Sequence, residues 1–178
     1  WVYTMLALLV SPALRALGGV AVADWLTTHG RWLLWTVPPL WMLFALVVLA
    51  PRFESTHALV GDWFNHAQYG VAFAFGLLIA RRDAMWAALV ERRWLLMGWA
   101  LLGASIHIGL RALGRLIDAG LVPSEPFLRL MPLAAWDFLS TVAHAIYWWA
   151  ALLALLAWGA RLLNRPWPGL RYVSEAVY

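Results

Sequence analysis

Histidines, carboxylates and arginines fall at helical spacing in this sequence. Asp137, Thr141, His144 and Trp148 are separated by steps of four, three and four, so one side of a helix presents them together. His107, Arg111, Arg115 and Asp118 make a second stripe, and Asp62, His66, Tyr69 and Phe73 a third, with Asn65 beside it. A histidine beside a carboxylate can act as a general base toward a sugar hydroxyl, its charged form stabilised by the acid. Arginines one helical turn apart can hold a phosphate or carboxylate. His66 and His144 are therefore the candidate acid/base groups, with Asp62 and Asp137 to orient them. Asn65, His107, Arg111 and Arg115 join the two aspartates as candidate substrate contacts.

Each stripe also has a plainer reading. Asp62 follows Gly61 ahead of a helix and reads equally as an N-cap, and Asp137 carries the same alternative. A histidine near a membrane interface commonly packs and hydrogen-bonds without doing chemistry, and Arg111 and Arg115 can snorkel to headgroups. His107 and His144 lie within or close to apolar stretches, where an interhelical hydrogen bond would satisfy either. Zinc is not indicated: no two histidines stand four apart and there is no HExxH. A Gly-rich phosphate loop and a GxSxG elbow are also missing.

The elements that must position these residues are hydrophobic stretches of spanning length. Apolar residues make up 64% of the sequence and charged residues 12%, with a mean hydropathy of +0.74, far from soluble globular composition. Without cysteine, disulfides and thiolate chemistry are excluded. The net charge of +4 is carried entirely by arginine, placed at the ends of apolar segments, which is the footprint of membrane topology and not of nucleic-acid binding. Most of the fourteen Trp fall near segment ends, where the indole suits the headgroup layer, whereas Trp148 and Trp149 lie inside one.

Stretches of about 20 apolar residues place spans over residues 1–17, 32–50, 63–80, 94–110 and 138–163, with a sixth opening at 172–178. The expectation is an all-α polytopic bundle. Pro38 and Pro39 predict a kink in the second span. Ala21-Val22-Ala23 after an apolar run imitates a signal-peptide cleavage site, but Arg15 interrupts the run and no basic region precedes it, so a spanning helix is preferred. Alternate connections collect nine of the thirteen arginines on one side, which makes that side cytoplasmic. The loops 52–62 and 111–137 then face outward, and His57, His66, His107 and His144 gather toward that outer face. Residues 126–132 are apolar enough to lie along the interface. The sequence opens at Trp1 without Met and stops within an apolar stretch, so 1–178 is expected to be a single transmembrane domain cut from a longer one.

Residues 62–70, Asp-Trp-Phe-Asn-His-Ala-Gln-Tyr-Gly, followed by Phe73-Ala-Phe-Gly-Leu-Leu-Ile-Ala-Arg81, resemble a segment of the membrane-bound acyltransferase-3 family. Leu170-Arg-Tyr-Val-Ser-Glu-Ala-Val-Tyr178 is similar to the start of that family's late helix, and residues 1–9 to the helix after its Trp-Phe-Leu stretch. The resemblance implies an integral membrane O-acyltransferase. It would take an acetyl or succinyl group from acyl-CoA, a co-substrate rather than a bound cofactor, and pass it to an extracytoplasmic carbohydrate at a bacterial inner membrane. The family's principal His and Arg positions lie upstream of anything matched here, so this part would supply cavity walls and acceptor contacts. A transporter or flippase for a small or lipid-linked substrate is the alternative, because a proline-broken helix and intramembrane histidines suit that as well.

Overall fold

The computed structural model describes residues 31–53, 55–56, 58, 60–80, 82–130 and 132–163, with 3–5, 7–8, 11–12, 21, 24–25 and 28–29 before them. Among the described residues all regular structure is helical. The chain divides into two compact units, Trp1–Arg82 and Asp83–Tyr178, and each is considered by itself. Among the described residues three helical segments are long and apolar enough to cross a membrane: Trp32–Leu49, Arg93–Asp118 and Leu133–Leu163. They mark a membrane protein. The expected span over 63–80 is a helix of 17 residues, slightly short of that length. The expected sixth segment lies outside the described residues, as does much of the first.

In the first unit, α1 (Arg31–Phe44) carries Pro38 and Pro39 in its interior. Each withdraws an N–H from the helical ladder. A π-helical turn, Ala45–Leu49, follows directly, and the Ala50 N–H donates to the Ala45 carbonyl at 2.9 Å. Such widened turns interrupt helices where a regular ladder has been disturbed. α2 (Trp63–Ile79) packs on α1 around buried Leu34, Met42, Ala45, Phe75 and Ile79. The Trp41 indole N–H also donates to the Ala67 carbonyl at 3.0 Å, tying the two helices together.

The second unit holds α3 (Asp83–Glu91), α4 (Arg93–Asp118), α5 (Glu125–Leu130) and α6 (Leu133–Leu163). α4 and α6 run antiparallel, since Arg93 lies over Trp158, Gly103 meets Tyr147 and His107 meets Ser140. Their seam is built from small residues. Gly103 is buried against Ala143 and Tyr147, and α6 also buries Ala145, Ala150, Ala154 and Ala157. Without a hydrophobic drive between helices in lipid, close backbone approach supplies the packing. α3 adds Met85 and Leu89, both essentially inaccessible, against α6. From Arg93 to Arg111 the helix rises about 27 Å, close to the hydrocarbon thickness of about 30 Å.

One expectation about this region changes. Helix α4 continues to Asp118, α5 covers Glu125–Leu130 and α6 begins at Leu133, so most of the expected loop 111–137 is helical. The apolar periodicity fades after Leu110, but intrahelical hydrogen bonds carry the helix two turns past the apolar stretch. It ends in a Schellman motif: the Leu121 N–H reaches the Leu116 carbonyl and the Gly120 N–H the Ile117 carbonyl, with Gly120 at φ +71°.

Candidate functional site

The polar residues inside the second unit converge where α4 and α6 meet one turn beyond Gly103. His107 Nδ1 lies 3.0 Å from both the backbone carbonyl and the hydroxyl of Ser140. The ring of His144 stands 4.6 Å from that of His107, centroid to centroid, and stacks on Tyr147 at 5.2 Å and 18°. Tyr147 is also 5.8 Å from His107. Ser140 is buried and both histidines are half-buried. The approach depends on Gly103, where an added Cβ would sit 2.8 Å from Tyr147 Cβ and 3.1 Å from the Ala143 carbonyl. A side chain there would force α4 and α6 to shift against each other. A carbonyl oxygen can only accept, so an Nδ1–H on His107 would be held by Ser140 and the Nε2 lone pair left to accept.

Between the C-terminal turns of α4 and the first turns of α6 lies a cleft of about 80 Å³. Arg111 and Gly114 line it from α4, and Trp136, Asp137 and Ser140 from α6. Phe127 of α5 also lines it, edge-on to Trp136 at 6.3 Å. Ser140 thus belongs to both the cleft and the histidine pair.

In the first unit the third stripe takes a different form. Asp62 is completely buried and caps α2: its carboxylate accepts the Asn65 N–H at 3.1 Å and the Asn65 side-chain amide at 2.8 Å. The same amide reaches the Ser55 hydroxyl at 2.7 Å. His66 Nδ1 meets the Tyr3 hydroxyl at 2.8 Å, and Trp63 lies edge-on to its ring. Asp62 therefore works as an N-cap, with Tyr3 against the His66 nitrogen.

No protein-family model, no curated protein and no solved structure matches the chain.

Of the residues singled out in the sequence, His107 and His144 come into contact, while Arg111 and Asp137 share the cleft. Arg115 is exposed and does not line it. Asp137 is the fifth residue of α6, so the N-cap alternative does not apply to it. It is two turns from His144, about 10 Å along the axis, and so beyond reach of that ring. His144 is instead flanked by His107 and Tyr147. His57 lies outside the described residues. No group of three or more His, Cys, Asp or Glu able to hold a metal occurs among the described residues. Sequence reasoning placed Ser140 among the polar residues opening the last span but gave it no role, and it overlooked Tyr147 and Tyr3. Ser140 and Tyr147 stand four before and three after His144, and that spacing was the available signal for both. Nothing local could have paired Tyr3 with a residue 63 positions away.

Proposed function

We propose that this chain is part of an integral membrane O-acyltransferase of a bacterial inner membrane, with five or six spans in the described and flanking sequence. It would move an acetyl or succinyl group from acyl-CoA to an extracytoplasmic carbohydrate. The observation that carries the reading is the His107–Ser140–His144–Tyr147 group set inside two helices of spanning length. Ionisable and polar side chains are costly at such depth and by default mark a functional site. Paired imidazoles can take a proton from an acceptor hydroxyl as its oxygen attacks the thioester carbonyl, and return it to the departing thiolate. In this reading His144 and His107 do the proton work, and the cleft with Arg111 and Asp137 receives the acceptor. His66, with Asp62 and Asn65 shaping its helix start, remains a second acid/base candidate, and Arg115 contacts headgroups. The resemblance of residues 62–81 and 170–178 to acyltransferase-3 segments supports the same reaction class.

The test is mass spectrometry of cell-envelope glycans with the encoding gene present, deleted, or carrying His144→Ala or His66→Ala at normal membrane levels. Deletion is expected to remove acetyl or succinyl mass increments. Loss of a general base lowers the transfer rate by roughly 10²–10⁴-fold, so His144→Ala should approach the deletion profile. A wild-type profile that deletion leaves unchanged refutes acyl transfer. The proline pair and π-turn of residues 31–49 favour a second reading, a transporter whose broken helix lines a substrate path. Substrate uptake lost on deletion, with glycans unchanged, would select it.

A further inference from the structure

The start of α4 and the end of α6 meet around a guanidinium that the fold leaves uncompensated. Arg93, the first residue of α4, donates from Nη1 to the Val90 carbonyl at 2.8 Å, and its Cζ lies 5.5 Å from the centre of the Trp158 ring. Its Nε–H is buried and has no hydrogen-bond partner, and the same holds for the Trp158 indole N–H. Both residues are half-buried. Among the described residues no carboxylate pairs with Arg93, Glu91 two positions before it included. Trp94 stands edge-on to Trp158 at 4.8 Å and is 61% exposed, so one side of the cluster is an open aromatic surface. A half-buried cation without a counter-ion and two buried donors without acceptors are costly to leave as they are, and one anion would satisfy all three.

We propose that this cluster is a binding site for the phosphate group of an amphiphile at the membrane edge. A phosphate presents several acceptor oxygens, enough for the guanidinium and the indole N–H together. The start of α4 carries no side-chain cap, so the positive end of a 26-residue helix adds to the attraction. Depth points to an amphiphile: the spanning stretch of α4 begins at Arg93, and indoles such as those of Trp94 and Trp158 favour the headgroup layer. Two sources carry this chemistry, an anionic phospholipid headgroup and the phosphates of an acyl-CoA. The phosphate site does not rest on the acyl-transfer reading; only acyl-CoA as its source does.

The experiment is native mass spectrometry of the protein purified from its full gene in neutral detergent. It is titrated with dioleoylphosphatidylglycerol, with dioleoylglycerol as the phosphate-free control, and with acetyl-CoA. Wild type is expected to hold phosphatidylglycerol about tenfold or more tightly than dioleoylglycerol. Arg93→Gln should weaken that binding about tenfold, the loss of one charge-assisted hydrogen bond. Trp158→Phe keeps a ring in place and deletes the N–H, which should weaken it about two- to tenfold. Arg129→Gln, which removes the same charge from α5, should leave it unchanged. Circular dichroism checks that each variant is folded; if Arg93→Gln is not, Trp158→Phe decides. Equal affinity for the two dioleoyl lipids overturns the proposal. So does phosphatidylglycerol binding that Arg93→Gln and Trp158→Phe leave at the wild-type value, or an equal loss with Arg129→Gln. Acetyl-CoA that displaces phosphatidylglycerol, and binds more weakly to both variants, makes acyl-CoA the source; phosphatidylglycerol that acetyl-CoA leaves in place makes it the lipid. Lipid held at this site in a protein whose deletion leaves glycans unchanged sustains the phosphate site and removes the acyl-transfer reading, so the two failures are told apart.

Discussion

Replacing Gly103 by alanine puts the α4–α6 seam under the most direct strain. The new Cβ would lie 2.8 Å from Tyr147 Cβ and 3.1 Å from both the Ala143 carbonyl oxygen and the Tyr147 nitrogen. Carbon atoms rest at about 3.5–4.0 Å, so the helices must part by roughly 0.7 Å or more, and two of the three neighbours are backbone that cannot rotate away. Overpacking of this kind costs about 1–3 kcal/mol. Alanine also returns the helix propensity that glycine gives up, about 1 kcal/mol, which masks part of the cost. Gly109 on the same helix removes this ambiguity, because nothing lies within 4 Å of its added Cβ. Gly103→Ala is therefore expected to be less stable than Gly109→Ala by about 1–3 kcal/mol. The assay is reversible SDS-induced unfolding in mixed micelles, followed by far-UV circular dichroism. Histidine ¹⁵N shifts provide a second readout, since parting the helices one turn below His107 should weaken its contact with Ser140. Equal stabilities for the two variants would refute the close-approach argument and with it the account of how the imidazoles are brought together.

Other substitutions probe separate parts of the fold. Asp62→Ala removes the α2 cap and leaves the Asn65 amide without that acceptor. A cost of about 1–2 kcal/mol and faster hydrogen exchange at the Asn65 amide are expected, with Asp62→Asn milder. Gly120→Ala forces a side chain into a left-handed conformation at about 1–2 kcal/mol; Gly120→Asn should recover part of it, as thermal unfolding will show. Trp41→Phe deletes the donor to the Ala67 carbonyl, and interhelical hydrogen bonds in membranes average about 0.6 kcal/mol. A loss of that order in the first unit, measured by the same SDS titration, is expected.

The candidate site was legible in part. Helical spacing correctly gathered the members of each stripe, because i, i+3 and i+4 geometry is a property of one helix. It could not say which stripes would touch. His107 and His144 meet because Gly103 faces Ala143 and Tyr147, a register set by packing between segments some forty residues apart. The spacing of Asp137 and His144 suggested a pair, yet steps of four and three sum to two full turns, placing them on one face but out of reach. Gly61 before Asp62 did announce a cap, and the buried carboxylate on the Asn65 N–H fulfils it. The end of α4 was harder to read, since the helix runs beyond its apolar stretch into Arg111–Asp118, whose two arginines and aspartate resemble a loop.

The sequence by itself determined that this is a helical membrane protein. Hydropathy over about 20 residues is a local sum, and a backbone in lipid has few ways to satisfy its hydrogen bonds other than helix. It also determined where chain ends of helices sit near arginine and tryptophan, again a local preference. Only the tertiary structure decided the antiparallel register of α4 and α6, the contact of His107 with His144 and Ser140, and the cleft that Phe127 lines. Those depend on which small residue faces which backbone. In lipid, where every span is equally apolar, that choice rests on shape and a few hydrogen bonds between distant segments.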